Sequence, residues 1–325
     1  MDSTLFLSEI TCLDHAMVVP AGPRDEYPSK IKGGSYMVSC FVSGKVDEYE
    51  NVVVDFSNIK KFLKSELDDY RRGYDHKLLL IPGTPDVSVG LPAYEGNVLL
   101  AMHGISVELP AARVTEFRHV TYSTFSAFQD VRHALQYELS AYLTERATLQ
   151  YEQDIEVKVV LTGNSSFTTA FQGITNVDIP FNYIHGLPHS SSVGCRNIAH
   201  GHESFVSLAL NADAFTLTSM REVCQYIRQE LLGPYTVFAA KNNARFQDGW
   251  VSIQYGAEGA ASDKQFFRMI VNPDVYTVNI LERDTTVENI TAWLNDKLVS
   301  KFGSIFARLA VSEGLTKGAV IYRGK

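Results

Sequence analysis

Apolar positions along the chain alternate with polar ones, switch to helical spacing, and switch back, and this cycle runs twice. The first half opens with two extended stretches, TLFLSEITCLDHAMVV (4–19) and GSYMVSCFVSGKV (34–46), rich in β-branched and aromatic residues as strands are. In DFSNIKKFLKSELDDY (55–70), Phe56, Ile59, Phe62, Leu63 and Leu67 recur at helical spacing behind Asp55, a capping residue. A Gly/Pro-rich loop, IPGTPDVSVGLP, leads to a strand-like run, NVLLAMHGISVEL. A helix at SAFQDVRHALQYELSAYL and a strand at IEVKVVL follow.

The second half repeats the order. FTTAFQGITNVDIPFNYIHG and SFVSLAL read as strands, and SMREVCQYIRQELL as a helix with Ser219 and Glu222 in capping-box spacing. WVSIQYG and FRMIVNPDVYTVNIL read as strands. TVENITAWLNDKLVSKF reads as a helix with Thr285 and Glu288 as a second box, and IFARLAVSEG and AVIYRG as closing strands. Two passes of strand, strand, helix, strands, helix, strand predict an α+β protein of two tandem modules, each an antiparallel sheet with two helices on one face. The polar stretch around 165–173 marks the boundary, giving modules 1–168 and 169–325.

Composition narrows the function. The 325 residues, 45% hydrophobic, support large cores, and a net charge of −8 lacks the basic footprint of a nucleic-acid coat. No apolar run reaches the roughly 20 residues of a membrane span. The first residues, MDSTLFLSEI, do not have the pattern of a secretory signal, and Cys12, Cys40, Cys195 and Cys224 form neither a disulfide framework nor a Cys-x-x-Cys site. The expectation is a soluble cytoplasmic protein with no nucleic-acid or membrane partner.

The chemistry concentrates in PFNYIHGLPHSSSVGCRNIAHGH (180–202). On a strand His200 and His202 share a face. His185, at the end of the preceding strand, can supply a third imidazole, and three histidines with an open fourth position are the pattern of catalytic zinc. His189, after a proline in a loop, is the weaker candidate.

The spacing Phe181, His185, Leu187, then Cys195, then His200-Gly201-His202 resembles the zinc motif of the 6-pyruvoyl- and 6-carboxy-tetrahydropterin synthases, the tunnelling-fold family. TTVENITAWL followed by VSEGLTKGAVIY resembles that family's C-terminal signature, and VVVDF with YDHKLLL resembles another. The resemblance implies that His185, His200 and His202 hold Zn2+ and that Cys195 is the catalytic thiol. It further implies that Glu313 grips a pterin, with Asp75 and His76 as an acid/base pair. Lys77 and Lys317, with Arg196 and Arg323, are candidates to meet a triphosphate.

The implied substrate is 7,8-dihydroneopterin triphosphate. The preferred reaction is the 6-carboxy-tetrahydropterin synthase reaction of the queuosine (7-deazaguanine) branch, with the 6-pyruvoyl reaction as runner-up and a non-catalytic zinc or pterin binder as a third reading. Assembly into a barrel as a homo-oligomer, a dimer or trimer of tandem chains, is also implied.

The halves divide the labour. The first carries Asp75-His76 but has Lys32, Gly33 and Gly34 where the second has His200-Gly201-His202. His15 matches His185, and Leu161 falls where the second half has Glu313. The second half has GPYTVFAAKN in place of the Asp-His-Lys run. A composite site drawing on both halves is expected, with Asp75 and His76 coming from the same chain or a neighbour.

Overall fold

A computed structural model describes residues 2–21, 28–47, 49, 52–163, 177–211, 217–256 and 265–322. The expected module boundary lies outside the described residues, as does Arg323. Two long strands, β1 (Asp2–Val19) and β2 (Lys30–Lys45), pair antiparallel. Helix α1 (Phe56–Leu67) follows, capped as expected by the Asp55 carboxylate, which accepts from Asn58 N. Its crossover returns the chain to β3 (Leu78–Leu80), which lies parallel to β1.

The run expected as one strand at 97–109 is a hairpin, β5 (Asn97–Met102) and β6 (Ile105–Pro110), flanked by the short β4 (Ser88–Gly90). After β7 (Val114–Glu116) come a short α2 (Tyr122–Phe125), the long α3 (Val131–Tyr151) and β8 (Ile155–Thr162).

The second half runs β9 (Val177–His185), β10 (His200–Leu210) and α4 (Leu217–Tyr226), which ends in a π-helical turn. Then come β11 (Thr236–Ala240), β12 (Ala244–Gln247), β13 (Trp250–Tyr255), β14 (Phe267–Val271) and β15 (Thr277–Leu281). Helix α5 (Val287–Phe302) and strands β16 (Phe306–Glu313) and β17 (Lys317–Tyr322) follow.

Three sheets result. The orders are β7-β3-β1-β2-β8, β15-β11-β9-β10-β16-β17 and β12-β13-β14-β6-β5-β4. Helices α1 and α3 pack on the first of these sheets, and α4 and α5 on the second. Both sheets are mixed rather than purely antiparallel: β3 and β7 join β1 in parallel, and β11 and β15 join β9 in parallel. Each of α1 and α4 returns the chain antiparallel to the strand before it, which lays β3 parallel to β1 and β11 parallel to β9.

The third sheet unites hairpins from both halves through the β6–β14 pair, where buried Glu108 meets Arg268 at 2.7 Å. The two halves therefore share one apolar core, which joins Ala16, Val18, Ile184 and Met269 among others. A closed barrel is not part of the described structure.

Two capping assignments change. Ser219 lies inside α4 rather than before it. The cap of α5 is Thr286, which leaves Thr285 for another task.

Candidate active site

Three imidazoles meet where β9 ends and β10 begins. His200 pairs with His185 across the antiparallel ladder, and His202 lies two residues on, so the pleat places all three on one face. Their exposures are 1% for His185 and 0% for His200 and His202. One ring nitrogen from each lies within 4.8 Å of the others.

The outer nitrogens fix the tautomers. His185 Nδ1 donates to the Thr285 carbonyl at 2.9 Å, and His200 Nδ1 donates to the Asn197 carbonyl at 2.8 Å. His202 Nδ1 lies 3.2 Å from Asp14 Oδ1. A carbonyl can only accept, so in His185 and His200 the proton sits on Nδ1 and each Nε2 is left as a lone pair. All three Nε2 atoms are buried without a hydrogen-bond partner. Burial holds His185 and His200 well below the usual imidazole range, keeping them neutral. Two neutral imidazoles with outer nitrogens tied to carbonyls, and a third beside them with a carboxylate behind it, fit a divalent metal.

Cys195 stands beside this triad on a short 3-10 turn, Gly194–Arg196. With His76 and His200 it forms a second set of ligand atoms within 4.8 Å of one another. His76 belongs to the first half of the same chain. Its ring sits 5.3 Å from that of His200, and its carbonyl accepts from Asn197 Nδ2 at 3.1 Å. His76 Nδ1 donates to Asp75 Oδ2 at 2.5 Å, while Asp75 Oδ1 accepts from Asp14 N at 2.9 Å. His76 has φ +54°, a left-handed conformation uncommon for a side-chain-bearing residue. Its own N–H donates to the Asp14 carbonyl at 2.6 Å, which secures that turn. Behind it, buried Tyr74 donates to Glu138 at 2.7 Å, and Glu138 also accepts from the backbone of Arg118, His119 and Val120.

The electrostatics single out one thiol. Burial opposes ionisation of Cys195, but hydrogen bonds from His76 and Ser192 outweigh it and bring the thiol down to about 7. Burial likewise disfavours the His76 cation, but Asp75 and Cys195 outweigh it and raise His76 to about 10. Burial pushes Cys12 and Cys40 up to about 12 and raises Cys224 as well. Near neutrality, then, Cys195 and His76 form a thiolate–imidazolium pair, which is how reactive thiols are prepared.

Glu313, at the end of β16 and 8% exposed, places Oε1 3.7 Å from His202 Nε2 and Oε2 3.2 Å from Lys317 Nζ. Burial opposes the Lys317 charge, but Glu313 outweighs it and raises the ammonium. Lys77 goes elsewhere. It is 1% exposed, it donates to the carbonyls of Tyr70 and Ala112, and burial lowers it to about 8. With its ammonium engaged by two carbonyls, Lys77 is not offered to an anion. Arg196 Nε donates to the Ser190 carbonyl at 2.7 Å, and exposed His189 pairs with Asp284.

Several members were not anticipated from sequence. Asp14 is the main one: 6% exposed, 3.2 Å from His202 and 2.5 Å from Ser35 Oγ, with its carboxyl held low against its own burial by His202. Strand alternation between His15 and Leu13 could have put Asp14 on the face opposite the first half's helices. Thr285 and Asn197 act through carbonyls, which no side-chain pattern announces.

The ladders also correct two correspondences between the halves. If Lys32-Gly33-Gly34 aligns with His200-Gly201-His202, then Met17, paired with Lys32, takes the place of His185, and His15 takes that of Tyr183. By the same register Gly163, not Leu161, stands at the place of Glu313. The first half still lacks all three ligands and the glutamate.

No protein-family model matches the sequence, and no curated protein matches it. Among solved structures, the chain is similar to 6-pyruvoyltetrahydropterin synthase from Plasmodium vivax, at 16% identity and a TM-score of 0.34, over 49% of this chain and 91% of that one. It is also similar to the Plasmodium falciparum enzyme of that name, at 15% identity and a TM-score of 0.32, over 50% of this chain and 98% of that one. An uncharacterized protein from Wolinella succinogenes is similar at 14% identity and a TM-score of 0.30, over 46% and 96%.

Proposed function

We propose that the chain is a zinc-dependent lyase that converts 7,8-dihydroneopterin triphosphate and one water to 6-carboxy-tetrahydropterin, acetaldehyde and triphosphate. The observation that carries this reading is the approach of His76 to Cys195 beside three histidines whose inner nitrogens are unpaired. A structural cluster would not need a lowered thiol and a carboxylate-oriented imidazole at its open side.

His185, His200 and His202 would hold the metal, which supplies polarisation of the substrate's side-chain hydroxyls and acidifies the adjacent C–H. Cys195, as thiolate, removes the side-chain proton. His76, held at Nδ1 by Asp75, presents its other nitrogen to exchange protons with the thiol and the substrate. Glu313 accepts from the ring N–H and the exocyclic amine of the pterin, a bidentate pairing. Lys317 would orient Glu313 and face the anionic end of the substrate. The motifs of the tunnelling-fold synthases, met at Cys195, Glu313 and Asp75-His76, supply the substrate class.

Incubating zinc-loaded protein with 7,8-dihydroneopterin triphosphate and reading product masses tests this. Acetaldehyde with 6-carboxy-tetrahydropterin is expected. A 6-pyruvoyl product would keep the site and change the reaction. Zinc and pterin bound with no triphosphate released would leave a non-catalytic binder.

A further inference from the structure

The metal site has a counterpart on the other side of the molecule. Gly33 and Gly201 touch where the first two sheets cross. Around that contact the ladder registers exchange the halves: Asp14 of the first reaches His202 of the second, Ser35 accepts from Glu203 N, and their register mates Asn182 and Glu203 reach back toward the first. There they help line a 520 Å³ pocket with His15, Met17, Lys32 and Tyr36. The start of α3 closes one side with Arg132, as the start of α5 closes the metal site with Thr285.

The ligand positions have been replaced. Met17, Lys32 and Gly34 stand at the places of His185, His200 and His202, so a thioether, an ammonium and no side chain face the space. Among the described residues no cluster of metal ligands gathers there. Yet the wall is not that of a filled core. His15, 2% exposed, has its Nδ1 without a hydrogen-bond partner, and so does the buried Oδ1 of Asn182. Native interiors seldom leave such atoms unpaired unless something else completes them. Lys32 and Arg132 bring positive charge beside the carboxylates of Asp130 and Glu203, the Glu203 carboxylate and the Asn182 oxygen are free to accept hydrogen bonds from a ligand, and Tyr36 stacks on His15 with ring centroids 5.7 Å apart.

We infer that this pocket is a second, metal-free binding site for a planar, amine-bearing heteroaromatic molecule with an anionic substituent. The amine edge would pair with Glu203 and Asn182, the ring would lie against Tyr36 and Met17, and the anion would meet Lys32 and Arg132. The site performs no chemistry, since it has neither a thiol nor a metal triad. It stands apart from turnover at the metal site.

Pterin-6-carboxylate, titrated calorimetrically into the full-length zinc-loaded protein, tests it. Two equivalents per chain are expected. Glu203→Gln and Arg132→Ala should each weaken one equivalent at least tenfold while zinc content and the other equivalent stay unchanged. Glu313→Gln should remove the equivalent at the metal site and leave this one. A single equivalent lost in Arg132→Ala but kept in Glu313→Gln would support this pocket and count against the reading of the metal site. Binding that is absent, or that is untouched by both Glu203→Gln and Arg132→Ala, would overturn the inference.

Discussion

Gly33 and Gly201 cross in direct contact: a Cβ added to Gly201 would lie 2.7 Å from Gly33 Cα, and one on Gly33 would lie 2.6 Å from His202 N. Those neighbours are backbone and cannot swing aside. The contact adjoins His202, whose Nδ1 lies 3.2 Å from Asp14 Oδ1. Gly33→Ala should therefore lower stability by about 2 kcal/mol, an overpacking cost, and weaken zinc binding as well. Urea unfolding and a zinc titration of the variant check both effects, and unchanged values in both would refute the crossing as a determinant of the site.

The thiol and imidazole titrate as a coupled pair. Cys195 lies down at about 7 and His76 up at about 10, so the thiolate–imidazolium state occupies the window between them. Alkylation of Cys195 by iodoacetamide should rise with an apparent pKa near 7. In His76→Ala the midpoint should move up toward the ordinary thiol value near 8.5. Mass-spectrometric rates across pH 5–10 read this, and an unmoved midpoint would remove His76 as the activating group.

His185 and His200 make a pH prediction with a definite sign. Burial depresses His185 and His200 in the folded state. Their contribution to stability is present above the unfolded value near 6.5 and is lost as pH falls below it. Metal-free protein should lose about 1.4 kcal/mol per histidine for each pH unit below that value, until the folded-state pKa is reached. Zinc should raise the melting temperature, most strongly above pH 7. His200→Ala should abolish the zinc stoichiometry measured by atomic emission, and a retained full equivalent would contradict the assignment.

Asp14 orients His202 from the other half. Asp14→Asn keeps the size and removes the charge, so zinc affinity should fall about 10- to 100-fold, the usual cost of losing a carboxylate behind a ligating histidine. Competition with a chromophoric chelator measures it. An affinity within twofold of the wild type would reduce Asp14 to a packing role.

Much of the site was legible because it lies on strands with a period of two and carries chemically distinctive residues. His185, His200 and His202, picked out by strand alternation, come together, with Cys195, marked by the family resemblance, beside them and Asp75-His76 arriving from the first half. What the chain could not announce depends on register and on backbone. The β1–β2 ladder, with its irregularity between Leu7 and Thr11, decides that Met17 rather than His15 mirrors His185. Thr285 looked like a helix cap, yet its carbonyl holds a ligand while Thr286 caps α5. Lys77 sits next to His76 in sequence, but in the turn before β3 its ammonium goes instead to the carbonyls of Tyr70 and Ala112. The third sheet was invisible because its β6–β14 pairing joins segments 160 residues apart, as the Glu108–Arg268 hydrogen bond shows.

The central claim is that one chain unites His76 of its first half with Cys195 and the histidines of its second. The most direct measurement is triphosphate release from 7,8-dihydroneopterin triphosphate by zinc-loaded His76→Ala, Cys195→Ala and their equimolar mixture, co-refolded to allow exchange of chains. Each single variant should fall at least 100-fold below the wild type, within the range for losing an acid/base group, and the mixture should stay as low. Recovery toward a quarter of wild-type activity in the mixture would show the two residues acting across chains and would contradict the site described.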